Sequence, residues 1–512
     1  MNGQFDRPAA LRAALLVTFA TYINYAVGLI VSIVVARELG PREYGQYAYI
    51  VWLAGTLTTL YCNGLTFSAI RFVSDRIGSR DLQGARNVHA LLRRWFRSGL
   101  LIITCLYALT SYWLLPPGWE YSAWLCVVAV IIAGGTKADY LLGSSTSKGY
   151  GRFEIEATTM NILSVINLIG VFVLLAVDAS LPAFLILFVG LSAGHALIGR
   201  ILMRRAGIVS GSGSLDPELK GRILNHYLWG SGLFVVYAFS NKSIENFLLA
   251  LYVGPEAVGW FAIAAAMTRG GIDLLVSGLS TVLMPVMSHA FGSKDHERAY
   301  RIFSDAVRYY YFLGVLLAGV GLLWSEPAIT ILYGAQYAPA VIGLQVMMVV
   351  GALTLVDSAT LSILTTTDNQ AARVGAAAFL LVSTLVLSVV LIPAYGFLGA
   401  LAAHAIARIA YFFVSLGVAS RLLHFTLPYG ALLRSTAASA VGAACAAIVL
   451  LGSTSLMAQI VAGVCYVLGC LLASVWLRVW SREDIHFLTP LADRFWLARR
   501  LQSWLIGQAR KS

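Results

Sequence analysis

Apolar runs long enough to cross a membrane recur along the whole chain, and they constrain its fold more than any other feature. A helix that spans the hydrocarbon core of a bilayer needs about 20 predominantly apolar residues. The composition agrees, since 59% of the residues are hydrophobic, 12% are charged and the mean hydropathy is +0.78. The sequence therefore predicts an all-α polytopic membrane protein.

Apolar length and helix-breaking residues divide the chain into about fourteen predicted transmembrane helices. These spans cover residues 11–36, 46–70, 98–115, 122–146, 157–177, 182–203, 226–252, 257–288, 308–324, 340–366, 374–392, 398–420, 430–452 and 455–477. Their boundaries carry an error of several residues.

One stretch of the sequence is written twice. Residues 254–261, GPEAVGWF, align with residues 40–47, GPREYGQY, at a constant offset of 214 positions (254 − 40). The same offset aligns residues 64–65 with 278–279 and Asp81 with Asp295. We interpret this as an internal duplication. The offset corresponds to six spans, so it predicts two parallel, pseudo-symmetric six-helix lobes followed by two C-terminal helices.

These patterns predict five segments. They are an N-lobe over residues 1–203, a cytoplasmic linker over 204–225, a C-lobe over 226–420, spans thirteen and fourteen over 421–478, and a cytoplasmic amphipathic tail over 479–512. The linker contains the flexible run SGSGS, and the tail places Leu497, Leu501 and Trp504 on one helical face.

The basic residues predict the orientation. Of the 36 Lys and Arg, thirty fall at the ends of spans on one side, and only Arg37 and Arg42 fall at the ends on the other. By the positive-inside rule both termini are cytoplasmic. The net charge of +12 is then explained by topology and by attraction to anionic lipids, without a nucleic-acid partner.

Charged residues inside the predicted spans are the best candidates for function, because an ionised side chain at the centre of a span costs about 2.5–3.5 kcal/mol. They are Lys137, Asp139, Lys242, Glu245, Arg269, Asp273, Asp357, His404 and Arg408. Lys242, Arg269 and Arg408 fall at a similar depth near the midplane. A cavity with such cations suits a phosphate or pyrophosphate group, and the carboxylates could exchange H⁺ or Na⁺.

A purely structural alternative exists for these charges. Lys242 with Glu245 and Arg269 with Asp273 have the i,i+3 and i,i+4 spacing of neutralising pairs, and Lys137 is close to Asp139. Asn24 is either an interhelical hydrogen bond or a ligand-binding group. The sequence contains no Walker loop, paired-histidine zinc motif or nucleophile elbow, so we predict neither a metal site nor an organic cofactor nor an enzyme.

Residues 36–47, ARELGPREYGQY, resemble the first hairpin of the polysaccharide-biosynthesis flippases. These are the Wzx-type exporters of O-antigen and exopolysaccharide units in the multidrug/oligosaccharidyl-lipid/polysaccharide superfamily. The second copy of the hairpin, the fourteen spans and Tyr333-Gly334 with Pro339 strengthen the resemblance. It implies two six-helix lobes that alternate between inward-open and outward-open forms, in the bacterial inner membrane.

The resemblance also implies a substrate, an undecaprenyl-pyrophosphate-linked oligosaccharide that is moved to the periplasmic leaflet, and coupling to a cation gradient. On this interpretation a central cavity binds the substrate through Lys242, Arg269, Lys137, Arg408 and Asn24. The coupling ion is taken up by Glu245, Asp273, Asp139 and Asp357. Expected partners are membrane lipids and a polysaccharide polymerase or glycosyltransferases, and the protein is expected to act as a monomer.

Three other functions stay open at the level of sequence. Lipid II flippases have arginines in span one, whereas residues 13–36 of this chain hold no charge. Multidrug cation antiporters typically have twelve spans and acidic sites in the first half, and span one here has no acid. A non-transporting scaffold of glycan assembly predicts that the charges within the spans tolerate neutral substitution.

Overall fold

The structure is a computed structural model that describes residues 7–62, 64–116, 118–241, 244–273, scattered positions between 275 and 291, 296–366, 370–423 and 427–480. Within these residues all regular secondary structure is helical. The α-helices are α1 (Arg7–Cys62), α2 (Leu65–Gly78), α3 (Leu82–Thr110), α4 (Ala123–Gly149), α5 (Glu154–Ala176), α6 (Leu181–Arg205), α7 (Pro217–Asn241), α8 (Glu245–Tyr252), α9 (Pro255–Thr268), α10 (His296–Leu332), α11 (Ala340–Thr366), α12 (Gln370–Leu423), α13 (Tyr429–Gly452) and α14 (Leu456–Trp476).

The predicted fold class, an all-α polytopic membrane protein, is confirmed. In the described part of the chain nine helices are long and apolar enough to cross a membrane. Two of them cover Phe19–Cys62 and Ala371–Arg421, which is 44 and 51 residues, and each contains a kink and therefore provides two spans. The described parts of all fourteen predicted spans lie mainly on helices.

The duplicated Gly-Pro turn has the backbone that its sequence predicts. Gly40 has φ 69° and ψ 176° at the kink of α1, directly before Pro41. Gly254 has φ 132° and ψ 175° and precedes Pro255, the first residue of α9. A side chain would be strained at both glycines, and proline at the first position of a helix loses no hydrogen bond. Both copies therefore end one helix and start the next in the same way.

Two predicted spans are interrupted. The predicted span 46–70 ends at Cys62, and α2 begins at Leu65 after Gly64, whose φ is 78°. The backbone of Gly64 lies against Gly230 and Ser231 of α7, where an added Cβ would come within 3.0 Å of either residue. The predicted span 226–252 is divided into α7 and α8. A π-helical turn, Arg269–Asp273, follows α9.

The first compact unit comprises Met1–Gly270, Leu332–Ala340 and Val374–Tyr411. In it α1 packs against α4, α5 and α9, and α4 packs against α6. Gly45 on α1 and Gly259 on α9 permit a close backbone approach: a Cβ on Gly45 would overlap the carbonyl oxygen of Pro255, and a Cβ on Gly259 would lie 2.9 Å from the carbonyl oxygen of Pro41. The two copies of the repeated turn therefore contact each other directly.

A tyrosine cluster fixes the segment Leu332–Ala340 to α1 within the same unit. The Tyr337 hydroxyl donates to the Ala36 carbonyl at 2.6 Å, and Tyr337 itself is fully buried. Its ring packs edge-on against Tyr44, whose hydroxyl is 2.9 Å from Ser32 Oγ. Arg37 Nε donates to the Leu332 carbonyl at 2.7 Å. The segment is thus held by hydrogen bonds as well as by aromatic packing.

The second compact unit comprises Gly271–Ile331, Val341–Arg373 and Phe412–Ser512. Its last two described helices, α13 and α14, pack closely because Gly442 lies against the backbone of α14 at Tyr466. The Tyr466 hydroxyl donates to the Val315 carbonyl at 2.8 Å and is 2.8 Å from Ser439 Oγ. Tyr466 therefore ties three helices, α10, α13 and α14, together.

The predicted division into lobes, linker and tail stays a prediction. Most of the tail, residues 481–512, lies outside the described residues. The described start of that segment includes Trp480, whose indole N–H donates to Ser474 Oγ at 2.9 Å and whose ring packs against Phe312.

Candidate functional site

A cavity of ≈ 420 Å³ lies inside the first unit, among α1, α4, α5 and α6. It is lined by Asn24, Val51, Ala54, Gly55, Thr58, Thr59, Ala133, Lys137, Leu141, Leu163, Ser164, Asn167, Phe188, Leu191, Ser192 and His195. Two of the predicted substrate-binding residues, Asn24 and Lys137, are brought together here although 113 positions (137 − 24) separate them.

Lys137 supplies the only charged side chain in this lining. Its ammonium group lies 5.1 Å from the centre of the Tyr140 ring, one turn further along α4. Among the described residues no carboxylate forms an ion pair with it: Asp139 instead contacts Arg200 Nε at 2.8 Å and Arg93 Nη2 at 3.5 Å. The cavity therefore carries a net positive charge, and Lys137 is stabilised by a cation–π contact with Tyr140 and electrostatically by Glu156, whose carboxylate pairs with Lys148.

The polar groups around Lys137 leave hydrogen-bonding capacity towards the cavity. Ser164 Oγ donates to Asn24 Oδ1 at 2.9 Å, so the Asn24 amide keeps its two N–H donors. Thr59 and Ser192 donate to carbonyls of their own helices at 3.0 Å, which leaves their oxygen lone pairs free to accept. His195 Nδ1 lies 2.8 Å from the Leu191 carbonyl, and this contact assigns the proton to Nδ1. The wall can donate to an anion and accept from hydroxyl groups.

A second polar cluster in the same unit joins Glu245 to His404. Glu245 opens α8 with 1% of its surface exposed, and its Oε1 lies 2.9 Å from Nδ1 of His404 on α12. Glu245 Oε2 is buried and has no hydrogen-bond partner among the described residues, which do not include Lys242. The Phe261 ring packs edge-on against the imidazole, and Arg408, one turn after His404, acts electrostatically on both groups. Glu245, predicted for coupling, and Arg408, predicted for substrate binding, are thus close enough to interact electrostatically.

The remaining predicted residues lie elsewhere. Lys242 is outside the described residues, and Asp273 is described only as the last residue of the π-helical turn. Arg269 begins that turn and is exposed. Asp357, in the second unit, accepts a hydrogen bond from Ser415 Oγ at 2.6 Å. The roles assigned to these four residues stay predictions.

His404 is the functional candidate to which sequence analysis assigned no role. Its only sequence signal was a position within a span, one turn before Arg408. The partner lies 159 positions away, so no local spacing could identify it. The same holds for Asp139: its arginine partners come from α3 and α6, and the adjacent lysine faces the cavity instead.

The buried charges and the polar cavity lie inside a bundle of membrane-length helices, and comparison with known proteins shows which family the chain belongs to. The chain belongs to the family described as "Polysaccharide biosynthesis protein", whose model matches residues 10–291. No protein in the curated set matches the sequence significantly.

Several solved structures share the fold of this chain. The lipid II flippase MurJ in an inward closed conformation matches with a TM-score of 0.71 and 16% identity, over 91% of this chain and 99% of its own. An inward-facing multidrug resistance MATE transporter of the superfamily matches with a TM-score of 0.65 and 16% identity, over 79% and 95%. A mutant of the Vibrio cholerae MATE transporter VcmN matches with a TM-score of 0.58 and 14% identity, over 81% and 97%.

Proposed function

We propose that this protein is a flippase that moves an undecaprenyl-pyrophosphate-linked oligosaccharide across the bacterial inner membrane. The observation that supports it is the cavity around Lys137, a cation that forms no ion pair with any described carboxylate and that lies among donors and acceptors suited to sugar hydroxyls. Its volume of ≈ 420 Å³ is in the range of small-ligand sites, so it takes the charged or first sugar part of the cargo. Family membership supports polysaccharide synthesis as the pathway.

The same cavity argues against a multidrug cation antiporter. No Asp or Glu is among the described residues that line it, and a cationic drug would meet the positive charge of Lys137. Repulsion between the drug and the Lys137 ammonium group would weaken binding, and neutral polar groups in the wall would not offset it. A lipid II flippase is expected to have arginines in span one, and the absence of charge from residues 13–36 argues against that function.

We assign coupling to the Glu245–His404 pair and the ion to H⁺. The two groups share a 2.9 Å hydrogen bond, and the pair is buried between α8 and α12. A hydrogen-bonded carboxylate–imidazole pair can take up and release a proton without any further ligand, so a proton is the ion that this geometry accommodates most simply. A Na⁺ site would need several oxygen ligands, and His404 offers a nitrogen instead.

The topology proposed for this function follows the positive-inside rule, with both termini in the cytoplasm. The protein would act as a monomer that receives its cargo from glycosyltransferases and delivers it to a polysaccharide polymerase. It would require no metal and no organic cofactor.

The deciding experiment uses a host that lacks the gene and is complemented with variants. Lys137→Gln should reduce surface polysaccharide at least tenfold and cause lipid-linked oligosaccharide to accumulate on the cytoplasmic leaflet. Lys137→Arg should retain part of the activity, because it keeps the charge. Lys148→Gln is the matched control, because Lys148 is also on α4 but pairs with Glu156 of α5. This variant should export normally.

Two outcomes would reject the proposal. Normal export by a well-expressed Lys137→Gln variant would reject the cavity, and this is also what a non-transporting scaffold predicts. Unchanged polysaccharide in the deletion host, with altered sensitivity to cationic drugs or altered peptidoglycan, would favour one of the two other transporters.

A further inference from the structure

A group of arginines lies on the other side of α4 from the cavity and has no role in the proposed function. Asp139 bridges Arg93 of α3, at 3.5 Å, and Arg200 of α6, at 2.8 Å. Arg97 and Arg204 lie near enough to act electrostatically on Arg93. We call Arg93, Arg97, Arg200 and Arg204 the arginine cluster. With Asp139 as its one carboxylate, the cluster keeps a net charge of about three positive units.

The guanidinium groups of the arginine cluster retain unused donors. Each guanidinium has five N–H bonds, and Asp139 engages only one nitrogen of Arg93 and one of Arg200. Arg200 is half exposed, and both Arg97 and Arg204 are exposed. Planar donors of this kind are suited to paired hydrogen bonds with phosphate oxygens.

A small recess beside the arginine cluster provides independent support for a ligand. It has a volume of ≈ 20 Å³ and is lined by His89, Arg93, Asp139, Tyr140, Ser144 and Arg200, among others. Three of these side chains are more than nine-tenths buried and have a polar atom without a hydrogen-bond partner: His89 Nδ1, the Tyr140 hydroxyl and Ser144 Oγ. Unpartnered polar atoms are costly, and their convergence on one recess indicates a polar group that enters there. The recess admits one oxygen-sized group.

The surroundings of the arginine cluster indicate a lipid. On α3, Arg93 and Arg97 are followed one turn later by the exposed Leu101. On α6, the exposed Leu197 precedes Arg200 and Arg204 on the same helical face. Spans three and six are predicted to cross the membrane in opposite directions, since they are three crossings apart, and α6 ends at Arg205, directly after Arg204. On both helices, therefore, the arginines lie towards the same end of the lobe and the exposed apolar side chains lie further into the predicted membrane.

We propose that the arginine cluster binds the phosphate headgroup of a membrane lipid, with one phosphate oxygen directed into the recess and the acyl or prenyl chain lying along Leu101 and Leu197. Two lipids share this chemistry, an anionic phospholipid of the bilayer and a prenyl-diphosphate carrier. The site is separate from the cavity around Lys137 and does not depend on the chain being a flippase.

The test measures binding to the purified full-length protein in neutral detergent, with two matched pairs of probes. Phosphatidic acid is compared with diacylglycerol, and farnesyl diphosphate with farnesol, so that only the phosphate differs. The phosphate-bearing member of at least one pair should bind at least tenfold more tightly, and added salt should weaken that binding. Tighter binding of farnesyl diphosphate, with displacement of phosphatidic acid, identifies the carrier lipid; the reverse identifies a bilayer phospholipid.

Variants separate a binding site from a structural ion-pair network. Arg97→Gln and Arg204→Gln leave both contacts of Asp139 intact and should each weaken binding about tenfold, without a change in thermal stability. Arg94→Gln removes an exposed arginine next to Arg93 on the same helix and is the charge-matched control. Asp139→Asn should strengthen binding in any preparation that stays folded, because the arginines lose their competing anion.

Two results would overturn the inference. Equal binding of the phosphate-free probes would show that apolar contact alone holds the lipid. An equal loss of binding in Arg94→Gln and Arg97→Gln would show a diffuse attraction to basic surface. Neither result bears on flippase activity, which is measured separately by leaflet accumulation.

Discussion

Gly45 of α1 packs directly against the backbone of Pro255, the first residue of α9, and leaves no space for a Cβ atom. We therefore expect Gly45→Ala to destabilise the protein, by about 1–3 kcal/mol for an overpacked contact that can relax and by more for one that cannot. Thermal unfolding of the purified protein measures the effect. Gly28→Ala on the same helix is the control, since a Cβ there meets nothing within 4 Å. Equal melting temperatures for the two variants would contradict the contact.

Glu245→Gln is predicted to uncouple transport from the proton gradient while preserving exchange of cargo between leaflets. The amide retains a hydrogen-bonding group opposite His404 but cannot take up a proton. Transport by the protein in proteoliposomes, with and without an imposed pH gradient, checks this. Glu154→Gln, which removes a surface acid paired with Arg152, should leave gradient dependence unchanged. Gradient-dependent transport at the normal rate in Glu245→Gln would exclude the pair from coupling.

Truncation of the same pair has a different expected result. Glu245→Ala leaves His404 buried without its partner, and an unsatisfied buried polar group costs about 1–3 kcal/mol. Glu245→Gln should lose less stability than Glu245→Ala in thermal unfolding. The opposite order would mean that the 2.9 Å hydrogen bond contributes little.

Tyr337→Phe should loosen the attachment of the segment Leu332–Ala340 to α1. The substitution removes the hydroxyl that donates to the Ala36 carbonyl at 2.6 Å, which contributes about 0.5–1.5 kcal/mol. Hydrogen exchange of residues 332–340 should become faster, because local opening becomes easier. Tyr252→Phe, at an exposed tyrosine of the same unit, should have no such effect. Unchanged exchange in Tyr337→Phe would show that ring packing alone holds the segment.

Tyr466→Phe tests the second unit in the same manner. Two hydrogen bonds are lost, one to Val315 and one with Ser439, so we expect a loss of about 1–2 kcal/mol in thermal stability. Binding of cargo in the cavity around Lys137 should be unchanged, since Tyr466 belongs to the other unit. Tyr429→Phe, at an exposed tyrosine of α13, is the control. A loss of cargo affinity in Tyr466→Phe would contradict this prediction and would show that Tyr466 influences the cavity around Lys137.

Sequence analysis predicted the features that local chemistry decides. The Gly40-Pro41 and Gly254-Pro255 turns could be predicted because positive φ and the missing proline N–H act within a few residues. The predicted span 46–70 was wrong at its end for the opposite reason. Gly64 breaks that helix where its backbone approaches Gly230 of α7, which lies 166 positions (230 − 64) further along the chain.

The candidate site shows the same limit. Spacing identified Lys137, Asp139 and Glu245 as charges in spans, but it proposed partners from the same helix. The structure pairs Asp139 and Glu245 with residues of other helices and leaves Lys137 with an aromatic ring. Partner choice depends on which helix faces meet, and hydrophobic periodicity does not encode this for helices that are apolar all round.

The contact between the two copies of the repeated turn has the symmetry of a dimer interface. Gly45 meets Pro255, and Gly259, its counterpart in the second copy, meets Pro41, the counterpart of Pro255. In a homodimer with a two-fold axis, residue i of one subunit meets residue j of the other, and j meets i in return. Here both halves of that exchange lie in one polypeptide. A side chain at either glycine would therefore clash with the backbone of the other copy, so each copy must keep its glycine for the other to fit.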